Sequence, residues 1–269
     1  MIDLPKTKYC HLDINDDWLT ISLDNDKKKN ALSATLIDEI IKVLKNAGQI
    51  TQIRGIIIKG RNRVFCSGAD LEELHQITYA KENREELTTR MSIRIGNLLQ
   101  TISNVPQITA SVVDGPCIAG GFGIACATDI MITMDSSIFK LSETQLGLTP
   151  AQIAPYILNR VNYSQARLLM LLGDKIDGKI AHEMGLADYL VTSESEIEKV
   201  IKKIKLRVDK CSPYALEMTK KLLSSNQRIE VQEAAHLFTE CVNHPEGKEG
   251  LRSFFEKGKP FWTKIKNKS

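Results

Sequence analysis

Apolar and polar residues alternate along Trp18-Leu-Thr-Ile-Ser-Leu23, the period of a strand with one buried face. A lysine-bearing turn follows over 24–30. Ser33 then stands as an N-cap before Leu36, Ile37, Ile40, Ile41 and Leu44, a spacing that predicts a helix ending near Gly48. The segment 54–59, RGIIIK, predicts a strand buried on both faces. Residues 62–68 read as a loop and 69–76 as a short helix. Across 85–102, Leu87, Met91, Ile95, Leu98, Leu99 and Ile102 share one helical stripe. Strands are predicted over 107–113, where Asp114-Gly115-Pro116 stops the run, and over 129–134. From Pro150 onward almost only helical periodicity remains, over 151–160, 164–172, 197–208, 213–224, 230–243 and 246–257. Strands alternating with helices imply an α/β architecture with largely parallel pairing, followed by a helical tail. No fixed-period repeat or proline-rich linker separates the two.

Composition narrows the class. A chain of 269 residues buries roughly 75% of its unfolded surface and needs no disulfide or metal to fold. Its 36 Lys and Arg against 33 Asp and Glu leave a charge of +3, which argues against a general nucleic-acid binder. The longest apolar stretch, 115–128, lies between Asp114 and Asp129 and is well short of the ~20 residues of a membrane span. Asp3 precedes any apolar run, so no signal peptide is expected, and the terminal Lys266-Asn-Lys-Ser269 is no peroxisomal address. Six scattered cysteines without a CxxC pair suggest reduced thiols and a cytoplasmic location, with no metal site.

Two glycine-bearing loops carry the candidate chemistry. The first, VFCSGADLEEL over 64–74, turns tightly into a helix and leaves amides near Gly68 and Ala69 to face a ligand. The second, VDGPCIAGGFGIA over 113–125, ends a buried strand and opens a helix at Gly120 and Gly121, whose N–H groups favour negative charge. A close-packed turn without ligand is the competing reading of each loop. The second lacks the G-x-G-x-x-G spacing of a dinucleotide site. Elsewhere, His182-Glu183 opens a zinc-protease pattern that Leu186 breaks, and no G-x-S-x-G elbow occurs.

Taken in order, KKKNAL at 27–32, FCSGADLEEL, VVDGPCIAGGFGIACATD, FKLSETQLGLTPAQIAPY and the C-terminal EGLRSFFEKGKPFW resemble the crotonase, or enoyl-CoA hydratase/isomerase, superfamily. The resemblance implies an α/β spiral of ββα units with a C-terminal helical region. It places an acyl-CoA-binding core over 1–195 and a trimerisation region over 196–269, in a homotrimer or dimer of trimers. It also implies an acyl-CoA thioester substrate and no separate cofactor, coenzyme A being part of the substrate. By position, the backbone amides of Ala69 and Gly120 would hold the thioester oxygen, and Glu143 in the LSETQLG segment would transfer the proton. Binding of the CoA moiety would fall to Lys27, Lys28, Lys29, Ala31, Ser67, Gly68, Asp70, Leu71, Gly121 and Lys257.

The chain departs from the best-known hydratases of that superfamily at one point. They carry a second glutamate on the glycine-loop helix, where this chain has Gly123. Asp70, Glu73 and His75 remain as further groups that could assist water. The segment 146–156, LGLTPAQIAPY, looks like that of branched glutaconyl-CoA hydratases, which commonly lack the same glutamate. This favours hydration of a 2-enoyl-CoA, possible alternatives being a Δ3,Δ2-enoyl-CoA isomerase using Glu143 and a catalytically inert CoA-binding relative.

Overall fold

The computed structural model describes residues 2–224 and 230–263. Strands β1 (Cys10–Asn15) and β2 (Trp18–Leu23) form an antiparallel hairpin. Helix α1 (Ala34–Ala47) leads to β3 (Gly55–Gly60), and α2 (Leu71–Tyr79) and α3 (Arg84–Asn104) lead to β4 (Ile108–Val113). The short strand β5 (Pro116–Ile118) enters α4 (Gly120–Ala127), and β6 (Ile130–Met134) and β7 (Ile138–Lys140) follow. After α5 (Ala154–Leu158) and α6 (Tyr163–Leu172) come β8 (Ile176–Asp177), α7 (Gly178–Glu183) and β9 (Tyr189–Val191). Helices α8 (Glu194–Val208), α9 (Pro213–Ser224), α10 (Val231–Asn243) and α11 (Pro245–Phe255) complete the described chain.

The strands form two sheets, ordered β1-β2-β3-β4-β6-β9 and β5-β7-β8. From β2 to β9 the larger sheet is parallel. Single bridges, Leu32 with Ala69 and Cys66 with Cys117, extend the smaller sheet towards the N-terminus. Each turn of the chain therefore lays one segment in the large sheet and the next in the small one, then a helix. Repetition of that step is a spiral, and it gathers the loops that follow β2, β3, β4 and β6 at one end of the molecule.

The isoleucine run of β3 shows how the layers are held. Ile56 and Ile58 enter the main core with α1, α3 and α4, whereas Ile57 faces a second cluster with Trp18, Val112, Ile132 and Val208. Both faces are thus covered, as a parallel sheet requires. Ser33 caps α1, its hydroxyl accepting the Leu36 amide at 3.3 Å. Ser33→Ala should cost about 1 kcal/mol in urea unfolding.

Several elements differ from the sequence-based expectation. The helix predicted from residue 69 starts at Leu71, because Asp70 is its N-cap. The helix expected over 151–160 shrinks to Ala154–Leu158, since a tight turn bonds both Ile153 and Ala154 N–H to the Pro150 carbonyl. The region after Pro150 also holds β8 and β9, two short strands with too few residues to show a period. Helix α9 is anchored to the sheet by Lys220, whose ammonium donates to Asp129 at 2.7 Å and to the Gln107 carbonyl at 2.8 Å.

Candidate active site

The two glycine-bearing loops meet through the Cys66–Cys117 bridge. Cys66 N–H donates to the Pro116 carbonyl at 3.0 Å, and Ile118 N–H to the Cys66 carbonyl at 2.9 Å. Small residues make this approach possible. A Cβ on Gly121 would lie 2.6 Å from the Cys66 Cβ, and one on Gly120 would lie 2.7 Å from Leu32 Cδ1. Gly68 sits at φ 95, and Ala119 holds φ 49, a conformation few side chains adopt. Such strain persists only where surrounding bonds over-determine it. Here Ala119 N–H donates to the Lys140 carbonyl at 2.9 Å, which clamps the residue before Gly120 to the end of β7.

Ala69 N–H has no acceptor among the described residues, and Gly120, as the first residue of α4, has none within its helix. Glu143 follows β7 by three positions and precedes the 3₁₀ turn Thr144–Leu146. That turn is fixed to α6 by Thr144 Oγ1 and Gln145 Nε2, which donate to the Leu171 and Leu172 carbonyls. Pairing of β5 with β7 brings the Glu143 segment beside the Gly120 loop. Glu143 Oε2 is buried and has no hydrogen-bond partner among the described residues. Burial holds its carboxyl above the usual 4.5, opposed only by the residue's own backbone N–H.

The remaining expected residues are distributed as follows. Lys27 and Lys29 are exposed, and their ammonium groups make no bond among the described residues. Ala31 is buried, its N–H donating to the Lys28 carbonyl at 3.0 Å. Ser67 donates its hydroxyl to that same carbonyl at 3.2 Å. Asp70 is buried rather than open to a ligand, one oxygen capping α2 at Glu72 N–H and the other accepting Lys28 Nζ at 2.7 Å. Leu71 is 75% exposed beside it. Gly121 is packed on Cys66, so it shapes the loop and offers no open face there.

Lys257 is not gathered with these residues within one chain. Helix α11 packs on α10, and Arg54 at the foot of β3 donates to the Trp262 carbonyl at 3.4 Å, the end of the sheet remote from the loops. Of the further polar candidates, Glu73 is paired with Arg94 at 3.2 Å and His75 packs on the Tyr79 ring. Two features escaped the sequence reading. One is the Lys28 contact with Asp70 and Glu72, which requires knowing that the loops after β2 and β3 adjoin. The other is the wall at Gly123, where an added Cβ would meet Ile153 Cγ1 at 3.0 Å and Leu99 Cδ1 at 3.1 Å.

Comparison with known proteins points one way. The sequence model of the enoyl-CoA hydratase/isomerase family matches residues 13–266. A putative enoyl-CoA hydratase of Thermus thermophilus is 27% identical over 89% of this chain and 95% of its own. Enoyl-CoA hydratase ACTT6 of Alternaria alternata is 31% identical over 68% of this chain, which spans 59% of that longer protein. Among solved structures, Pseudomonas aeruginosa AtuE superposes with a TM-score of 0.89 at 30% identity, covering 96% of this chain and all of its own. An enoyl-CoA hydratase/isomerase from Marinobacter aquaeolei gives 0.88 at 28% identity, covering 95% and 99% of the two chains.

Proposed function

The chain belongs to the enoyl-CoA hydratase/isomerase family, and on that premise we propose that it adds water across the 2,3 double bond of an enoyl-CoA thioester. The observation that carries the proposal is the half-buried Glu143 carboxylate, its Oε2 buried without a partner among the described residues, next to two loops that present backbone amides. Several relatives carrying the hydratase name support the same direction of chemistry.

The thioester oxygen accepts hydrogen bonds from Ala69 and Gly120 N–H, which draws electron density from C3. Glu143 takes a proton from water as its oxygen bonds to C3, and the π electrons pass to the thioester oxygen as an enolate. The enolate then collapses, and Glu143 returns the proton to C2. One carboxylate thus serves as base and acid on the same face, and the added atoms sum to one water. Each amide contributes about 3 kcal/mol to the developing oxyanion.

Lys27 and Lys29 supply point charges for the CoA phosphates. Leu71 offers an apolar surface, and the backbone over 68–71 meets the adenine. A branched glutaconyl thioester is the preferred acyl group, on the strength of the 146–156 segment. The chain assembles as a trimer or dimer of trimers through the region 196–269. Exposed Leu223, Val231, Phe238, Phe254, Phe255 and Phe261 support this, since apolar surface of that extent calls for a cover. A neighbouring copy would then bring Lys257 to the site.

Absorbance of the conjugated enoyl band tests the reaction. Crotonyl-CoA and a branched 2-enoyl-CoA should both lose the band, the latter faster. Gain of the band from a 3-enoyl-CoA, without loss from the 2-enoyl esters, would establish double-bond migration and overturn hydration. Binding of CoA esters without turnover of any would mark an inert relative.

A further inference from the structure

Helix α2 begins two residues after Ala69, yet it is poorly anchored by packing. Of its nine residues only Ile77 is buried, while Leu71 and Tyr79 are 75% and 71% exposed. Its position rests on polar links instead. Lys28 Nζ lies 2.7 Å from both Asp70 Oδ2 and Glu72 Oε2, and Arg94 holds Glu73 from α3. The same Lys28 uses its carbonyl to accept the Ser67 hydroxyl. It therefore grips the chain two residues before Ala69 and one residue after it. Neighbouring bonds tighten the same seam. Ser67 N–H donates to the Lys29 carbonyl at 3.1 Å, Leu32 N–H to the Gly68 carbonyl at 2.8 Å, and Asn30 Nδ2 to the Val64 carbonyl at 2.8 Å.

We propose that Lys28 is a positioning residue, fixing the direction of the Ala69 N–H by clasping Asp70 and Glu72, and is not a ligand of the CoA phosphates like its neighbours. The proposal rests on the hydratase reading for its kinetic consequence, but the clasp itself does not. Three considerations favour it. The Lys28 ammonium already has two carboxylate partners, whereas Lys27 and Lys29 have none among the described residues. Asp70 has both oxygens occupied, so removing Lys28 strands a carboxylate whose side chain is only 7% exposed. An oxyanion donor also tolerates little misdirection, since displacement by an ångström costs up to ~10²-fold in rate.

The test is Lys28→Met, assayed with an enoyl-CoA and with the matching enoyl-pantetheine thioester, which lacks the nucleotide phosphates. The expected result is a fall in kcat of roughly 10- to 100-fold on both substrates. KM for the CoA ester should stay within about 2-fold of the parent, since the phosphate contacts remain. Lys28→Arg should recover most of the rate, because the guanidinium can span the same two carboxylates. A raised KM confined to the CoA ester, with kcat intact, would make Lys28 a phosphate ligand and overturn the proposal. Hydrogen exchange supplies a readout free of turnover. In Lys28→Met the amides of 69–74 should exchange faster while those of β3 and β4 are unchanged, and unaltered exchange at 69–74 would equally overturn it. If the parent turns over no enoyl-CoA, the hydratase reading fails and the exchange result alone decides the clasp.

Discussion

Glu143→Gln is expected to abolish turnover, lowering kcat by about 10³-fold or more, with affinity for CoA esters nearly unchanged. The amide keeps the shape of the side chain but can no longer accept a proton from water. Affinity should be untouched, because the proposed contacts to the thioester oxygen and the phosphates lie elsewhere. The pH dependence of the parent follows from the same group. Burial raises the Glu143 carboxyl above 4.5, and the base must be ionised, so the acidic limb of kcat/KM should lie above that value. Stability should run the opposite way to activity. The native state retains this proton to higher pH than the unfolded chain does, so stability from this group is lost as pH rises through the native value. Glu143→Gln removes this half-buried charge and should unfold at higher urea than the parent at pH 7. The advantage should vanish below about pH 4, where the carboxyl is protonated in both states. Residual activity within a few-fold of the parent would remove Glu143 from the mechanism.

Gly123→Glu is expected to destabilise the protein by about 3 kcal/mol or more and to restore no second carboxylate. The first atom of the new side chain already presses on Ile153 Cγ1 and Leu99 Cδ1. Two more carbons and a charged pair of oxygens would have to displace Leu99, which is fully buried on α3, and Ile153 beside α5. Thermal unfolding should fall by roughly 5–10 °C. Gly123→Ala, carrying only the first atom and a better helix former, should stay within about 1 kcal/mol of the parent. The residue pattern therefore records more than a deleted acid. Leu99 and Ile153 have closed over the place where it would stand, so the packing itself excludes a carboxylate at position 123. A Gly123→Glu variant that kept its stability and gained rate would show the wall to be soft.

Much of the framework was legible because its residues meet water on one side or none. β2 and α9 begin and end at the predicted residues, Trp18–Leu23 and Pro213–Ser224. Ser33 announced its helix through the capping preference of its hydroxyl. The short strands β5, β7, β8 and β9 were invisible for a physical reason. Two or three residues carry no period, and such strands exist through their partners. The site divides in the same way. The motif resemblance pointed to Ala69, Gly120 and Glu143, and the fold brings the segments bearing them side by side. Asp70 illustrates what spacing cannot convey. It reads as a possible substrate contact, but its two oxygens are committed to Glu72 N–H and Lys28.

The bridge between Cys66 and Cys117 bears on how the protein reaches activity. It joins turns of the spiral that lie far apart in the chain, so closing it carries the entropy of a long loop and no local helix formation can assist. Helices such as α1 and α3 can form early from neighbouring residues, but the paired amides exist only once that closure is complete. During refolding, the far-ultraviolet signal should therefore recover ahead of enoyl-CoA turnover. A population rich in helix yet catalytically silent is the kinetic signature of an active site assembled by long-range contact.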